Sequence, residues 1–406
     1  MRALIVEPDL AGHHGPYLAH MIEALSELGV QTTVAVPTDT LDRVEYTIHL
    51  ASVRDKADFQ CVVDAGARGS AGAAHSKVAA IRSAIRRFAP DHLLVPYVDG
   101  VTQVATLLGA TGFPAIPRGL FSEGLLFRGG FAYGGLSTRA RLQHRVSRGL
   151  LSRSPWTVLH FLDPLPFDHV RSRDERLAAR ARLMPEPVEP APRVSRDEAR
   201  RALGLAEDGR YIVLAGGIDR RKGADLLLHA FLRARLSSND RLLLAGPLVP
   251  EIKASLTGDF ESMIAQERIV LIDRHLPIEQ LMLAILAADL VCVPYPNHIG
   301  SASILIRAAA AKRPVLSSTF GWVGHVTSRF GLGWSCNVLQ RDELARALGS
   351  ALDRASSWQR GDAGRRFAEF HSVENFRAHW TSALRNRLGL PEHAEKRSWE
   401  WVTEDQ

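Results

Sequence analysis

Cysteine is scarce in this chain of 406 residues, which has three, at Cys61, Cys292 and Cys336. Their wide spacing, odd number and lack of a Cys-x-x-Cys pair argue against a disulfide framework or a structural zinc site, and favour a reducing compartment. Long hydrophobic runs are also missing: the chain opens MRALIVEP and reaches an acidic residue at Glu7. No run approaches the ~20 apolar residues of a membrane span. We therefore expect a cytoplasmic protein without a signal peptide.

The sequence lacks the features of nucleic-acid-binding proteins: a basic low-complexity tail, zinc-finger spacing, and aromatic residues interleaved with basic ones. We therefore expect no nucleic-acid partner. The balance of 46% hydrophobic and 23% charged residues is that of an ordinary globular protein. A net charge of +6 favours anionic partners such as nucleotides, phosphates or an acidic membrane surface.

Apolar β-branched runs alternate with longer amphipathic stretches, which predicts repeated β-α units and parallel sheets. The predicted strands of the first half are 2–6, 32–36, 92–96, 115–117 and 156–161, with helices at 16–28, 76–88 and 101–108. The predicted strands of the second half are 211–215, 241–244, 269–272, 290–294 and 314–317, with helices at 222–236, 277–287, 303–311 and 373–388.

A proline-rich segment, LMPEPVEPAPR at 183–193, separates the two halves and is predicted to be a linker. The predicted fold class is therefore α/β, with two doubly wound Rossmann-like domains facing across a cleft. Their predicted bounds are 1–186 and 187–378. The remaining tail, 379–406, has two interpretations: it packs back on the first domain, or its Trp399 and Trp401 are plain docking anchors.

The segment EPDLAGHHGPYLAHMIEAL at 7–25 joins a predicted strand to a predicted helix. Gly12 permits close approach of a ligand to the backbone, and the helix N-terminus attracts anionic or oxygen-rich groups. His13 and His14 are unusual for a purely structural turn. A tight turn without a ligand is the alternative.

The segment YIVLAGGIDRRKGADLL at 211–227 concentrates cations beside flexible backbone at a strand end. Gly216, Gly217, Arg221 and Lys222 suit a diphosphate, because lysine supplies a compact charge and arginine a two-pronged donor. The alternative is a solvated basic first turn, although cations there oppose the helix dipole.

The segment 290–318 continues from a buried strand into a polar loop before a helix. His298, Gly300, Ser301, Ala302 and Ser303 offer hydroxyls and backbone amides to phosphate or sugar oxygens. Helix capping would explain a single serine but not the whole His-x-Gly-Ser-x-Ser loop.

These motifs, in this order, resemble the nucleotide-sugar half of glycosyltransferase family 4, over roughly residues 187–349. They include Gly-Gly-x-Asp-x-Arg-Lys-Gly, then Ala-Ala-Asp-Leu-x-x-x-Pro at 287–294, then Arg-Ala-Ala-Ala-Ala-x-Arg-Pro-Val at 307–315. The resemblance implies the GT-B architecture and transfer of a sugar from a nucleoside-diphosphate sugar to an acceptor hydroxyl, with retention of configuration. It further implies that Lys222 contacts the donor diphosphate. The sequence near the predicted cleft has no acidic cluster of the DxD type that would hold an obligatory metal, so we predict no metal and no permanently bound cofactor.

The chain departs from the family at two glutamates, whose positions fall on Ile299 and Arg307. Arginine cannot accept a hydrogen bond from ribose as the second glutamate does. A rebuilt donor site that includes Arg307 is our preferred interpretation, because the loop is still polar. An altered donor or a loss of transfer activity would also explain the two substitutions. The alternative functions are therefore a non-catalytic sugar-nucleotide-binding subunit and a nucleotide-sugar epimerase.

In the first half, Asp99 follows a predicted strand, where its carboxylate would either orient an acceptor hydroxyl or form an Asx turn. We predict that His13, His14, Asp99 and Lys222 are catalytic, with a glycan, a lipid-linked molecule or a small molecule as acceptor. Glu123, placed in a loop by the predicted strands, would line the acceptor pocket or cap a turn.

The segment LSTRARLQHRVSRGLLSRSPW at 136–156 has five arginines and no acidic residue. Leu142, Val146 and Leu150 share one helical face, with Arg141, Arg145 and Arg148 mostly on another. This pattern suits a helix that contacts anionic lipid at the inner face of a membrane. A surface helix with a solvated basic face is the alternative.

Overall fold

The computed structural model describes residues 1–10, 14–63, 72–133 and 138–404. The chain divides into two compact units. The first contains Met1–Pro187 and Val373–Lys396, and the second contains Val188–Ser372 and Arg397–Gln406. The chain thus passes from one unit to the other inside the proline-rich segment. The C-terminal division differs from the predicted bounds, because 373–378 belong to the first unit.

The described residues of the first unit form a parallel sheet of seven strands in the order β3-β2-β1-β4-β5-β6-β7. The strands are β1 (Arg2–Val6), β2 (Gln31–Pro37), β3 (Asp58–Val63), β4 (His92–Val95), β5 (Phe121–Leu126), β6 (Val158–Phe161) and β7 (Ala181–Leu183). The helices are α1 (His14–Glu27), α2 (Val44–His49), α3 (Ala73–Phe88), α4 (Val101–Ala110), α5 (Thr138–Ser152), α6 (Pro164–Arg173) and α7 (Glu175–Ala178).

Six parallel strands form the sheet of the second unit in its described residues, in the order β10-β9-β8-β11-β12-β13. They are β8 (Arg210–Ala215), β9 (Asp240–Ala245), β10 (Ile269–Ile272), β11 (Leu290–Val293), β12 (Val315–Ser318) and β13 (Gly333–Cys336). The helices are α8 (Arg196–Ala202), α9 (Ala224–Arg233), α10 (Pro250–Ser255), α11 (Asp259–Ala265), α12 (Ile278–Ala287), α13 (Ser303–Ala310), α14 (Gly321–Arg329), α15 (Arg341–Ala355) and α16 (Asp362–Phe370).

The central strands are apolar along their length because helices cover both faces of a parallel sheet. Every residue of β11 is buried, as is every residue of β4. In each sheet the strand order reverses beside the first strand of the unit, between β1 and β4 and between β8 and β11. Ligands of doubly wound sheets bind outside the carboxyl ends of the strands at such a reversal. The loops after these four strands are therefore where a site is expected.

The strand predicted at 115–117 is wrong, and β5 lies a few residues later, at Phe121–Leu126. Pro114 and Pro117 lack the backbone N–H that a central strand must donate. Glu123 interrupts the apolar pattern of the true strand, which is why the pattern favoured a loop there. The structure thus moves Glu123 from a predicted loop into the sheet.

The C-terminal segment contributes one helix to each unit, α17 (Val373–Arg387) to the first and α18 (Trp399–Thr403) to the second. In the first unit Phe376 of α17 packs on Tyr17 of α1, with ring centroids 5.3 Å apart. In the second unit the buried Trp399 packs on Phe370, with ring centroids 5.2 Å apart. Each helix therefore buries an aromatic side chain in the core of its own unit.

Candidate functional site

The turn after β8 folds the ammonium group of Lys222 over the backbone of Gly216. Gly216 has a φ of +86°, and a Cβ atom built there would lie 2.6 Å from Lys222 Nζ. A side chain at this position would therefore displace the lysine. The turn is a 3₁₀ segment, Arg220–Lys222, capped by Asp219, whose Oδ1 accepts the Lys222 backbone N–H at 2.8 Å. Gly217 has open space around it.

A second glycine brings this turn against the end of β11. Gly223 has a φ of +72°, and a Cβ atom there would lie 2.2 Å from the carbonyl oxygen of Pro294. Only glycine fits so close an approach in this conformation. The contact places Lys222 Nζ 5.8 Å from the ring centroid of Tyr295, within the range of a cation–π interaction.

Tyr295, which the sequence analysis missed, also connects the lysine to the polar loop before α13. Its ring centroid lies 5.3 Å from that of His298, whose Nε2 is 3.0 Å from the carbonyl oxygen of Ser301. Since a carbonyl accepts, Nε2 carries the proton in this contact. An aromatic residue two positions after a buried strand, in Val-Pro-Tyr-Pro-Asn-His, was the available signal.

The helix that follows this loop is not capped by the side chain of its own N-cap residue, which is an alanine. This residue, Ala302 before α13, has extended backbone. Gly300 adopts a φ of +99°, which turns the loop toward the helix, and Ser303 is exposed in the first turn. The first turn thus presents N–H groups and a hydroxyl on the same edge as Lys222.

Lys222 is the cation that this edge holds in a partly buried position. Burial, and then the neighbouring Arg221, lower its pKa to about 8, although Asp219 opposes the shift. Among the described residues no carboxylate lies within ion-pair distance of Lys222 Nζ, whereas the exposed Arg221 lies 3.4 Å from Asp219. A partly desolvated ammonium without an anion is a suitable partner for a phosphate.

Arg307, which the sequence analysis assigned to the donor site, is buried and ion-paired. Its Nη1 donates to Glu189 Oε2 at 2.6 Å, and the residue is 8% exposed. Glu189 comes from the proline-rich segment and was not predicted as a site residue. Ile299, at the other substituted position, is partly buried.

The corresponding edge of the first unit contains a buried acid–histidine pair. Glu7 is fully buried at the end of β1, and its Oε2 lies 3.1 Å from Nδ1 of His14. Burial alone would lower the pKa of His14, but the charge and hydrogen bond of Glu7 raise it. The imidazole packs on the ring of Tyr97 at 4.9 Å between centroids. Gly12 and His13, predicted for this site, lie outside the described residues.

Asp99, predicted to be catalytic, holds the loop after β5. Its carboxylate accepts the backbone N–H groups of Phe127 at 2.9 Å and Arg128 at 2.8 Å. Burial raises the pKa of Asp99 to about 6 despite these hydrogen bonds. The structure thus shows a loop-fixing contact, and a role toward an acceptor stays a prediction.

Glu123 lies in the interior of the sheet rather than in an acceptor loop. Its two carboxylate oxygens lie 2.8 Å from His92 Nε2 and 2.7 Å from His160 Nε2, and all three residues are buried. Burial would raise the pKa of this carboxyl, but hydrogen bonds from His160 and His92 lower it to about 2. The three side chains come from adjacent strands β4, β5 and β6, which no local sequence pattern indicates.

The basic segment forms helix α5, and two of its apolar side chains face solvent. Leu142 is 64% exposed and Val146 is 55% exposed, with Arg145 exposed beside them. Arg148 contacts His169 instead, with its Nη1 3.1 Å from Nε2. In the described parts of the chain, every helix is too short or too polar to span a membrane.

The two doubly wound units define the GT-B fold, which confirms the predicted fold class. Sucrose-phosphate synthase from Thermosynechococcus elongatus matches with a TM-score of 0.72 at 18% identity, over 96% of this chain and 99% of that chain. WaaG, a glycosyltransferase involved in lipopolysaccharide biosynthesis, matches with a TM-score of 0.65 at 14% identity, over 95% and 99%. HepE from Anabaena, solved with UDP and glucose, matches with a TM-score of 0.63 at 15% identity, over 95% and 100%. No family model matches the chain, and no curated protein sequence matches it.

Proposed function

We propose that this chain is a glycosyltransferase related to family 4, which moves a sugar from a nucleoside-diphosphate sugar to an acceptor hydroxyl. The observation that carries the proposal is the convergence of Gly216, Lys222, Tyr295 and the 298–303 loop at one edge of the second sheet. HepE, which shares the fold, has been solved with UDP and with UDP-glucose, which supports a nucleotide sugar as the ligand class.

In this proposal Lys222 neutralises the diphosphate, helped by Arg221, while the loop amides and the hydroxyls of Ser301 and Ser303 hold phosphate or sugar oxygens. Charge develops on the departing diphosphate as the bond to the sugar breaks. A preorganised cation stabilises that charge in the transition state more than in the ground state. The proposal needs no metal ion for this step.

The first unit would bind the acceptor, which is a glycan, a lipid-linked molecule or a small molecule. His14 and Asp99 lie at the carboxyl ends of neighbouring strands β1 and β4, where a hydroxyl-bearing ligand of a doubly wound sheet binds. Retention of the sugar's configuration is part of the proposal on the strength of the sequence resemblance.

Thermal stabilisation by a panel of nucleoside diphosphates and their sugars tests the donor site. One nucleotide family should raise the Tm of the wild-type protein, and Lys222→Met should weaken that ligand at least about tenfold, since a charge-assisted contact is lost. Lys253→Met, which removes an exposed lysine on α10 that is paired with Asp273, is the matched control and should bind normally. No stabilisation by any nucleotide, or equal stabilisation of the Lys222 variant, would contradict the proposal.

The non-catalytic interpretation has one observation in its favour: neither Ile299 nor Arg307 supplies the carboxylate that the family resemblance implies. Release of free nucleoside diphosphate from the stabilising nucleotide sugar distinguishes the two. A transferase should release it, slowly with water as acceptor and faster with a suitable hydroxyl compound. Tight donor binding with no release under either condition would leave the binding subunit as the better function.

We further propose that α5 contacts an anionic membrane surface, because exposed Leu142 and Val146 flank the exposed Arg145 in a segment with no acidic residue. Vesicles of phosphatidylcholine, with and without phosphatidylglycerol, test this by co-sedimentation. Only the anionic vesicles should bind, and Leu142→Ser with Val146→Ser should lose most binding. Leu107→Ser, at a leucine of α4 that is 54% exposed, is the control. Equal binding of all variants would leave α5 as a solvated surface helix.

A further inference from the structure

The ion pair between Arg307 and Glu189 joins the donor-side helix to a segment 118 positions earlier. The backbone beside Glu189 is fixed, because the N–H of Val188 donates to the carbonyl of His371 at 3.2 Å. The Arg307 guanidinium is largely removed from water, whereas the Glu189 side chain is 33% exposed. The carboxylate is therefore held by a largely buried cation, while part of the Glu189 side chain is exposed to solvent.

Helix geometry relates this pair to the donor edge. Arg307 follows Ser303 by four residues, so both lie on the same face of α13. Side chains on an α-helix lean toward its N-terminus, so the arginine extends toward the first turn. Ile304, also in that turn, lies 3.7 Å from the position of a Cβ atom on Gly216, the glycine that Lys222 covers.

A nucleoside diphosphate presents two opposite kinds of polar group to such a site. Its phosphates accept hydrogen bonds, and Lys222, the loop amides and the serine hydroxyls can donate them. Its ribose carries two adjacent hydroxyls, which donate and so require acceptors. A carboxylate has about four lone-pair sites, so one that accepts from an arginine can also accept from a hydroxyl group. An arginine at this position has no such capacity.

We propose that Glu189 accepts hydrogen bonds from the ribose hydroxyls of the donor nucleotide, and that Arg307 is the positioning residue that holds its carboxylate. The proposal rests on the proposed function of the same site. It explains how an arginine can stand where the family resemblance implies a glutamate: the carboxylate arrives from another segment, and the arginine orients it.

Paired ribonucleotides and 2′-deoxyribonucleotides test this inference by isothermal titration calorimetry. The probes are UDP with 2′-deoxy-UDP, GDP with 2′-deoxy-GDP, and ADP with 2′-deoxy-ADP, and the pair that binds the wild-type protein is carried forward. The wild-type protein should bind the ribonucleotide about tenfold or more tightly, as a hydrogen bond to a charged group typically gives. In Glu189→Gln the preference should fall below about threefold, while affinity for the deoxynucleotide changes little.

Because Glu189→Gln leaves the Arg307 guanidinium without its carboxylate, a second variant guards against loss of stability. Glu189→Gln with Arg307→Met has no unpaired charge and should keep a Tm near that of the wild-type protein, yet it should also lose the ribose preference. Glu251→Gln, at an exposed glutamate of α10, is the control that should keep it.

The outcomes separate this inference from the proposed function. Failure of the wild-type protein to bind any nucleotide would overturn both. Binding without a ribose preference, or a preference that survives in both Glu189 variants, would overturn the inference alone. An equal loss of affinity for both members of the pair would also overturn it and would show that the ion pair only maintains the fold.

Discussion

The two sheets reverse their strand order in the same way, yet the charged residues near the two reversal points differ in whether they have partners of opposite charge. In the second unit, glycines with positive φ let backbone and a partly buried lysine approach one another, and Lys222 has no carboxylate partner among the described residues. In the first unit the buried acids are already matched: Glu7 with His14 and Asp99 with loop amides at the reversal point, and Glu123 with two histidines inside the sheet.

This difference indicates what each edge can bind. An edge that holds an unneutralised cation and helix amides attracts an anion, which suits a diphosphate. An edge whose charges are neutralised internally has no excess charge to attract an ion, and in the proposed function it would bind the neutral hydroxyl groups of an acceptor. The same topology thus supports two chemistries through the residues at its loops.

Among the substitutions that test this comparison, removal of the buried carboxylate of Glu123 should have the largest effect on stability. Glu123→Gln leaves His92 and His160 without their anion and should lower the free energy of unfolding at pH 7 by about 3–5 kcal/mol. Because the folded-state pKa is lowered from 4.5 to about 2, the contribution is present above pH 4.5 and is lost as pH falls toward 2. Urea unfolding at several pH values measures it.

The exposed Glu175→Gln is the control for that series and should change the free energy of unfolding by no more than about 1 kcal/mol. An equal effect of the two substitutions would show that the buried cluster does not stabilise the first unit more than a surface charge does.

Adding one methyl group at the second edge should have the next largest effect. Gly223→Ala combines a positive φ with a Cβ atom 2.2 Å from the Pro294 carbonyl oxygen. We therefore expect the free energy of unfolding to fall by about 2–4 kcal/mol and nucleotide binding to be lost as well. Gly217→Ala, in the same turn but with open space, should leave the Tm near the wild-type value. Similar Tm values for both variants would mean that the turn is not packed as described.

Donor affinity should depend on pH through Lys222. Its pKa of about 8 means that the ammonium charge is lost as pH rises above 8, so nucleotide affinity should weaken by up to about tenfold per pH unit there. The sign for folding is opposite: the pKa is lowered from 10.5, so the lysine's contribution to stability improves between pH 8 and 10.5. Calorimetric titration from pH 7 to pH 10 checks the affinity, and urea unfolding over the same pH range checks the stability. Parallel pH profiles of the wild-type protein and Lys222→Met would contradict this role.

The smallest effect should be on the protonation of His14. Glu7→Gln removes the charge that raises the pKa of this imidazole and leaves the burial that lowers it, so the pKa should fall below the ordinary value of histidine. NMR titration of the histidine ring signals measures the change. His325 in the second unit should keep its own lowered pKa, and an unchanged His14 would show that Glu7 does not set its protonation.

The sequence predicted those residues of the candidate site that lie close together within one short segment of the chain. Gly216, Gly217 and Lys222 follow one strand within a few residues, so the strand–turn–helix pattern is enough to group them. Tyr295 was missed although it lies only two residues after β11, because an aromatic residue after a buried strand is more often part of a core.

The parts that the sequence did not predict depend on residues far apart in the chain. Glu123 contacts histidines 31 and 37 positions away only because β4, β5 and β6 are neighbours in the sheet. A buried acid inside a strand also breaks the apolar pattern, so the pattern itself pointed to a loop. The predicted bounds divided helix α17 between the second domain and the tail for a related reason, since its apolar face does not indicate which unit it covers.

The sequence by itself determined the alternation of strands and helices, the proline-rich connection and the cationic glycine turn, because each follows from local backbone preference and hydrophobic period. The tertiary structure alone decided which charges are neutralised. Arg307 is paired with Glu189 and Glu7 with His14, whereas Lys222 has no carboxylate partner in the described ranges of the chain. Strand order brings some distant side chains together and keeps others apart.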